Sequence, residues 1–299
     1  MQKLVPIMKL QASYHARPWG GKRLGHPPSP GIGEAWEVSL LQEGPSIYSG
    51  EAITTLASDH QIPYLIKFLD TSEYLSVQVH PDDAYAKKVA RSKGKTECWA
   101  VVKAGEEAGI FLGTKKGVTQ QQFFQVIEQK SDPSNMMNYY PVQVGDFFFV
   151  PAGSLHAVGK NITLIEIQQS CGLTYRVWDW NRGRELHVNH ARAVICFEDK
   201  KNTLSYFQHK KNIFAGGVTS LASHRDFKAS SFSLQKGGAF ELDDNSKRFS
   251  SITVADGCLE ITRQGTCEAI GPYESALLPS GFGPASLRSL HECFGVIVE

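Results

Sequence analysis

Short apolar runs separated by turn-forming residues dominate this sequence and restrict what it can fold into. Runs such as 74–79, 98–102, 147–150 and 162–167 span four to six residues, and Gly, Pro, Asn and Asp recur between such runs. That length and punctuation are typical of strands joined by tight turns. The sequence therefore predicts a mainly β protein.

Helical patterns are confined to three short segments, at about 82–91, 119–130 and 185–197. In the second, Thr119 followed three residues later by Gln122 resembles a capping box, the usual start of a helix. Many strands with few helices indicate a β-barrel or jelly roll with helical insertions.

A weak internal repeat suggests that the chain contains two related β domains. Residues 145–153 align with 273–281, because each copy has an acidic residue, four mainly apolar residues and then Pro-x-Gly. His156 follows the first copy, whereas Pro284 stands at the matching position of the second. Only the first domain would then be able to hold a metal ion at this position.

The charged and polar stretch 198–202 is the best candidate for the boundary between these domains. We expect a first domain over 1–200, which includes the three helical segments, and a second, metal-free β domain over 201–299.

Composition excludes several classes of partner. Lys and Arg number 31 against 30 Asp and Glu, a net charge of +1, which argues against nucleic acid because a polyanion rewards a cationic surplus. No apolar run approaches the roughly 20 residues that span a bilayer. The N-terminus lacks an export signal and the six cysteines form no CxxC pair, so we expect a cytoplasmic protein that binds no membrane.

Polar side chains alternate with apolar ones in two of the predicted strands. Because alternate residues of a strand share a face, Ser76, Gln78 and His80 would point the same way. Lys95 and Glu97 would also share a face if their segment is extended. These strands would therefore place polar groups on one surface.

A third polar segment is a strand that ends in a Pro/Gly turn and returns His156 toward the sheet. Gln78, His80, Glu97 and His156 together offer two imidazoles, a carboxylate and an amide oxygen, a suitable ligand set for a divalent transition metal. Either histidine alone would more often be a turn or loop residue. The pattern Gly-x5-Pro-x-Gly-x2-His, however, resembles the second half of the cupin signature, in which a small β-barrel holds a metal inside its mouth.

Arg176 follows the strand-like run that comes directly after the His156 turn. The chain could therefore lay this guanidinium across the barrel mouth. The alternative is a structural arginine paired with Asp179 on the surface.

Five motifs in the same order carry a more specific resemblance. Together they resemble the type I mannose-6-phosphate isomerases in their short bacterial form, over about residues 19–197: Gly33–Ser39, Val77–Asp83, Gly94–Trp99, Pro151–Ala157 and Glu166–Arg176. The resemblance implies two cupin-like jelly-roll barrels with a few helical insertions.

The same resemblance implies an activity and a role for each candidate residue. The activity would be the interconversion of mannose 6-phosphate and fructose 6-phosphate through a cis-enediol, by a monomer or a homodimer. One zinc ion per chain would be bound by Gln78, His80, Glu97 and His156. The substrate-binding residues would be Ser76, Lys95 and Arg176, with Ser76 and Lys95 at the sugar phosphate, and the catalytic residues would be Arg176, at the reacting end, and Lys95.

One departure from the family pattern leaves the proton-transfer group open. Relatives of the short form commonly carry an Asp where this chain has Gly172, so the chain would need Glu37, Glu166 or a water on the zinc instead. Two other functions also stay open. Two histidines and a carboxylate would suit a non-haem iron cupin oxygenase, and the missing Asp would suit a non-catalytic sugar-phosphate-binding cupin.

Overall fold

A computed structural model describes residues 7–25, 27–243, 248–281 and 283–299. Residues 1–6, which enter the expectation that the chain has no export signal, lie outside that part. The predicted mainly β fold is confirmed. No helix among the described residues has the length and apolar character needed to cross a bilayer.

Strands make up most of the regular structure. The first fourteen are β1 Met8–Lys9, β2 Ser13–Ala16, β3 Ile32–Val38, β4 Ile47–Tyr48, β5 Glu51–Ala52, β6 Tyr64–Asp70, β7 Val77–Val79, β8 Glu97–Ala104, β9 Gly109–Thr114, β10 Met137–Pro141, β11 Phe147–Val150, β12 His156–Val158, β13 Ile162–Gln169 and β14 Tyr175–Trp178. The remainder are β15 Gly217–Ser223, β16 Lys228–Leu234, β17 Ala239–Leu242, β18 Ser250–Asp256, β19 Leu259–Arg263, β20 Thr266–Ile270, β21 Glu274–Leu278, β22 Ala285–Ser289 and β23 Cys293–Val298.

The three α-helices are α1 Asp83–Ala90, α2 Gln120–Glu128 and α3 Val188–Val194, with short 3-10 turns at Ile53–Thr55, Ser134–Met136 and Asp199–Lys201. Each α-helix lies inside one of the segments with a helical pattern. The capping box before α2 is confirmed, because the Thr119 hydroxyl accepts the Gln122 backbone N–H and the Gln122 side chain accepts that of Thr119.

The chain forms two compact units that interleave in sequence. One comprises Ala16–Glu34 and Leu69–Lys211; the other comprises the described part of Met1–His15, Ala35–Phe68 and Asn212–Glu299. The expected domains, 1–200 and 201–299, were continuous, whereas the chain passes between these units several times.

The unit that contains 69–211 is built around two layers of strands. One layer is a five-stranded sheet in the order β10-β9-β12-β7-β14, and the other contains β11, β8 and β13 as neighbours. Between them lies an apolar core that includes Trp99, Leu112 and Leu164. On the outer face of the five-stranded sheet, Val77 and Val79 pack with helix residues such as Phe123. The helices therefore cover one face and leave the interior to the strands.

The unit that contains 212–299 also has two sheets. Their orders are β1-β21-β18-β23-β16-β15 and β17-β22-β19-β20, with a core that includes Phe232, Ile252 and Leu287. The two copies of the sequence repeat each contain a strand, β11 and β21, preceded by a residue with positive φ and followed by a glycine with positive φ. The backbone is thus locally alike in both copies.

Candidate metal centre and active site

The first candidate residues, Ser76 and Gln78, lie just before β7 and within it. Ser76 Oγ donates a hydrogen bond to Gln78 Oε1 at 3.2 Å, so these two side chains share a face as predicted. Gln78 also stands directly opposite His156 of β12, and 3.3 Å separates Gln78 Nε2 from His156 Nε2. Directly opposed residues of antiparallel strands point to the same side of the sheet. The pairing register therefore brings together residues that are far apart in sequence.

The turn before β12 is what returns His156 to this site. Gly153 has φ +85°, a conformation that residues with a side chain rarely adopt, and its N–H donates to the His80 carbonyl at 2.8 Å. The turn is therefore tied to the chain segment that carries the other histidine.

Glu97 is the first residue of β8 and Lys95 lies two residues before it, and both side chains are buried. The Lys95 ammonium forms an ion pair with Glu97, lies 3.5 Å from Glu166 Oε1 and donates to His80 Nε2 at 3.1 Å. The predicted common face of Lys95 and Glu97 is thus present as a direct contact. Glu166 is brought in by β13, where it stands opposite Trp99.

The ligand atoms of His80, Glu97 and His156 all lie within 4.8 Å of one another. The Nε2 atom of each histidine is 3.4 Å from a Glu97 carboxylate oxygen. Among the described residues, this is the one cluster of three or more His, Cys, Asp or Glu side chains able to hold a metal ion.

Backbone carbonyls orient both imidazoles so that they could bind a metal ion. His80 Nδ1 lies 3.0 Å from the Leu173 carbonyl, and His156 Nδ1 lies 3.0 Å from that of Ser154. A carbonyl can only accept, so each Nδ1 carries the hydrogen and each Nε2 presents its lone pair to the cluster. This is the tautomer that metal-binding histidines use.

Electrostatics keep these groups in the forms that bind a cation. Burial, followed by the charge of Lys95, lowers the pKa of His80 to about 3, and burial also lowers the pKa of His156. Burial alone would raise the pKa of Glu97, but the charge of the Lys95 ammonium outweighs it and holds that pKa well below its usual range. At neutral pH the cluster therefore presents two neutral imidazoles and one carboxylate.

The residues present fit a divalent metal ion. Glu97 Oε1 is buried and has no hydrogen-bond partner within the described chain, so this oxygen retains its lone pairs for a ligand. Two imidazoles with one carboxylate are a donor set used by both zinc and non-haem iron sites. A half-turn of the Gln78 amide, which exchanges its two end atoms, would present its oxygen to the same point.

Arg176 stands directly opposite Gln78 in the pairing of β14 with β7, so it is on the sheet face of the cluster. Its Nη1 donates to the Glu185 carbonyl at 2.8 Å. The partners of Asp179 are instead Arg182 and Arg184, two arginines that the sequence reading did not single out. The segment 179–184 has neither the alternation typical of a strand nor the apolar spacing typical of a helix. No local pattern therefore indicates these two arginines.

The two carboxylates considered for proton transfer are in different units. Glu166 is buried beside Lys95 on the inner face of β13. Glu37 belongs to the unit that contains 212–299, where its Oε2 accepts from Ser275 Oγ at 3.0 Å. Gly172 lies exposed in the segment between β13 and β14.

Comparison with known proteins decides the family. Residues 25–97 match the family model for the catalytic domain of type I phosphomannose isomerase. The mannose-6-phosphate isomerase ManA of Bacillus subtilis is 31% identical, with 94% of this chain and 95% of the relative covered. This chain belongs to the type I phosphomannose isomerase family. A further family member, the mannose-6-phosphate isomerase of Streptococcus mutans, is 38% identical over 64% of this chain and 69% of its own length.

Solved structures of phosphomannose isomerases share the fold. The mannose 6-phosphate isomerase structure from Bacillus subtilis matches with a TM-score of 0.83 at 24% identity, covering 99% of this chain and 100% of that one. The apo enzyme from Salmonella typhimurium matches with a TM-score of 0.75 at 12% identity, covering 99% of each chain. At these identities the likeness concerns the fold alone.

Proposed function

We propose that this chain interconverts mannose 6-phosphate and fructose 6-phosphate, with one zinc ion held by His80, Glu97, His156 and Gln78. The observation that carries the proposal is the buried His-Glu-His cluster beside Lys95, formed by the motifs of a phosphomannose isomerase. The catalytic, metal-binding domain would be the first of two cupin-like domains, and the second would hold no metal. A cytoplasmic location and a monomeric or dimeric state belong to the same proposal.

The reaction opens the sugar ring and moves a proton between C2 and C1 through a cis-enediol. Bound zinc would supply a positive charge near the C1 and C2 oxygens, where negative charge develops. Arg176, opposite Gln78, would stabilise the same charge from the edge strand. Lys95 would hold the side chains of Glu97 and Glu166 in place, since its ammonium contacts both carboxylates.

Glu166 is the group we propose for proton transfer. It is buried at the cluster, outside the four proposed ligands, and its Oε1 lies 3.5 Å from the Lys95 ammonium. Glu37 is less suited, because its carboxylate is engaged by Ser275 in the other unit.

The test is an assay of metal-reconstituted protein with mannose, glucose and other aldose 6-phosphates, together with metal analysis. We expect conversion of mannose 6-phosphate that depends on zinc. Folded, zinc-loaded protein without such conversion would contradict the proposal. Preferential retention of iron would instead favour an oxygenase, and tight sugar-phosphate binding without turnover would favour a non-catalytic cupin.

A further inference from the structure

The loop after β14 holds two arginines on one buried carboxylate. Asp179 is 4% exposed, and its carboxylate accepts from Arg182 Nη2 at 3.0 Å and from Arg184 Nε at 2.9 Å and Nη2. The Arg182 and Arg184 side chains are 21% and 28% exposed. Each guanidinium has five N–H donors, and within the described chain their Nη1 groups have no partner. Both arginines are thus fixed in place with donors to spare.

The backbone of this loop is held in an uncommon shape. Trp180 and Asn181 have φ of 50° and 61°, in the left-handed region that non-glycine residues rarely adopt. The Trp180 indole N–H donates to the Leu75 carbonyl, and the Arg182 N–H donates to that of Asp179. Strained residues persist where the surroundings hold them, and they cluster at ligand sites. The arginine geometry is therefore set before any ligand arrives.

Positive charge exceeds negative charge around this loop. Burial and then repulsion from Arg184 lower the pKa of Arg176, with a further contribution from Arg182, so the three guanidiniums are close enough to repel one another. Asp179 and Glu185 are the carboxylates that oppose them. Arg176 Nε is also buried without a hydrogen-bond partner in the described chain. A cluster with surplus charge and unused donors favours an anion.

Lys95 is in a different electrostatic setting. Its ammonium is buried between Glu97 and Glu166, which raise its pKa against the effect of burial. A phosphate dianion there would lie beside two carboxylates and would be repelled by both. The partly exposed arginines carry no such penalty, since Arg182 and Arg184 share the single carboxylate of Asp179.

We propose that Arg182 and Arg184, positioned by Asp179, bind the phosphate group of the sugar phosphate while the reacting end lies at the His80–Glu97–His156 cluster. This inference rests on the proposed function. Arg176 stands opposite Gln78 on β14, and the loop that carries Arg182 and Arg184 directly follows that strand. Guanidinium forks suit phosphate oxygens because two parallel N–H groups can donate at once.

The experiment compares Arg182→Gln and Arg184→Gln with wild type. We expect each to raise KM for mannose 6-phosphate and the inhibition constant for inorganic phosphate by about 10- to 100-fold, with kcat and zinc content nearly unchanged. Arg184→Lys keeps the positive charge but loses the paired N–H donors of the guanidinium. Its two constants should therefore lie between those of wild type and those of Arg184→Gln. Arg192→Gln is the matched control, because Arg192 pairs with the exposed Glu128 and should leave both constants as they are.

Unchanged constants in folded, zinc-bound Arg182→Gln and Arg184→Gln proteins would overturn the inference. A fall in kcat at constant KM would also overturn it, since it would place these arginines at the reacting end. If the wild type itself does not turn over mannose 6-phosphate, the proposed function fails, and calorimetric titration with inorganic phosphate still tests the arginines. Equal phosphate affinity in wild type and variants would then refute the phosphate site on its own.

Discussion

Glu37 provides the sharpest test of how the fold controls a buried charge. The side chain is fully buried, Oε2 accepts from Ser275 Oγ, and that hydroxyl lies 2.8 Å from Thr253 Oγ1. Oε1 has no hydrogen-bond partner in the described chain. Burial, opposed only in part by the Ser275 bond, raises the pKa of Glu37 from 4.5 to about 8. The folded protein therefore keeps this carboxyl protonated at neutral pH.

The size and sign of the effect on stability follow from linkage. Between pH 4.5 and 8 the folded state holds a proton that the unfolded state has released, so the free energy of unfolding falls as pH rises. The stabilisation is fully present below about pH 4.5 and is lost as pH rises through 8. Each pKa unit is worth about 1.36 kcal/mol, so the loss is up to about 5 kcal/mol. Glu37→Gln has no such proton and should lack this pH dependence.

Urea unfolding of metal-free protein from about pH 5 to pH 9, followed by tryptophan fluorescence and far-ultraviolet circular dichroism, measures the difference. We expect Glu37→Gln to be close to wild type at the acid end and more stable by several kcal/mol at the alkaline end. Glu241→Gln, on an exposed residue of the same unit, is the control and should track wild type. Parallel pH profiles for wild type and Glu37→Gln would refute the reasoning.

Three further changes test the metal centre. His156→Ala should lose bound zinc and activity together, because it removes one of the clustered ligands; zinc retained after dialysis, measured by atomic absorption, would rule out the ligand set. Arg176→Ala should keep its zinc while kcat falls by about 100- to 1000-fold, and an unchanged kcat would exclude Arg176 from the reaction. Lys95→Met should cost metal-free protein about 3–5 kcal/mol by removing the buried ammonium that contacts Glu97 and Glu166, and zinc should restore more stability than in wild type. Equal unfolding free energies of wild type and Lys95→Met would contradict the ion-pair assignment.

The strand periodicity of the sequence predicts several of the side-chain contacts at the site. Alternation placed Ser76 beside Gln78 and Lys95 beside Glu97, and both contacts are present. The capping box at Thr119 likewise depends on residues three apart. These features could be predicted because each is a relation between near neighbours in the chain, governed by local geometry.

The tertiary structure determines which residues that are distant in sequence come together at the site. The register of β12 against β7 sets His156 opposite Gln78, and β13 brings Glu166 to Lys95 across 71 positions of sequence. No local pattern fixes such registers, because they depend on which sheet faces the chain buries together.

The arginine loop and Glu37 show the same limit. Asp179, Arg182 and Arg184 form no regular pattern, and their contacts exist because the loop folds back on one buried carboxylate. The sequence offers Glu37 as a candidate base, but in the folded chain its carboxylate accepts a hydrogen bond from Ser275, 238 positions away. The sequence by itself determined the strands, the family and the residue types able to bind a metal. Burial and pairing, which arise only in the folded chain, decided which of those groups meet and what charge each one carries.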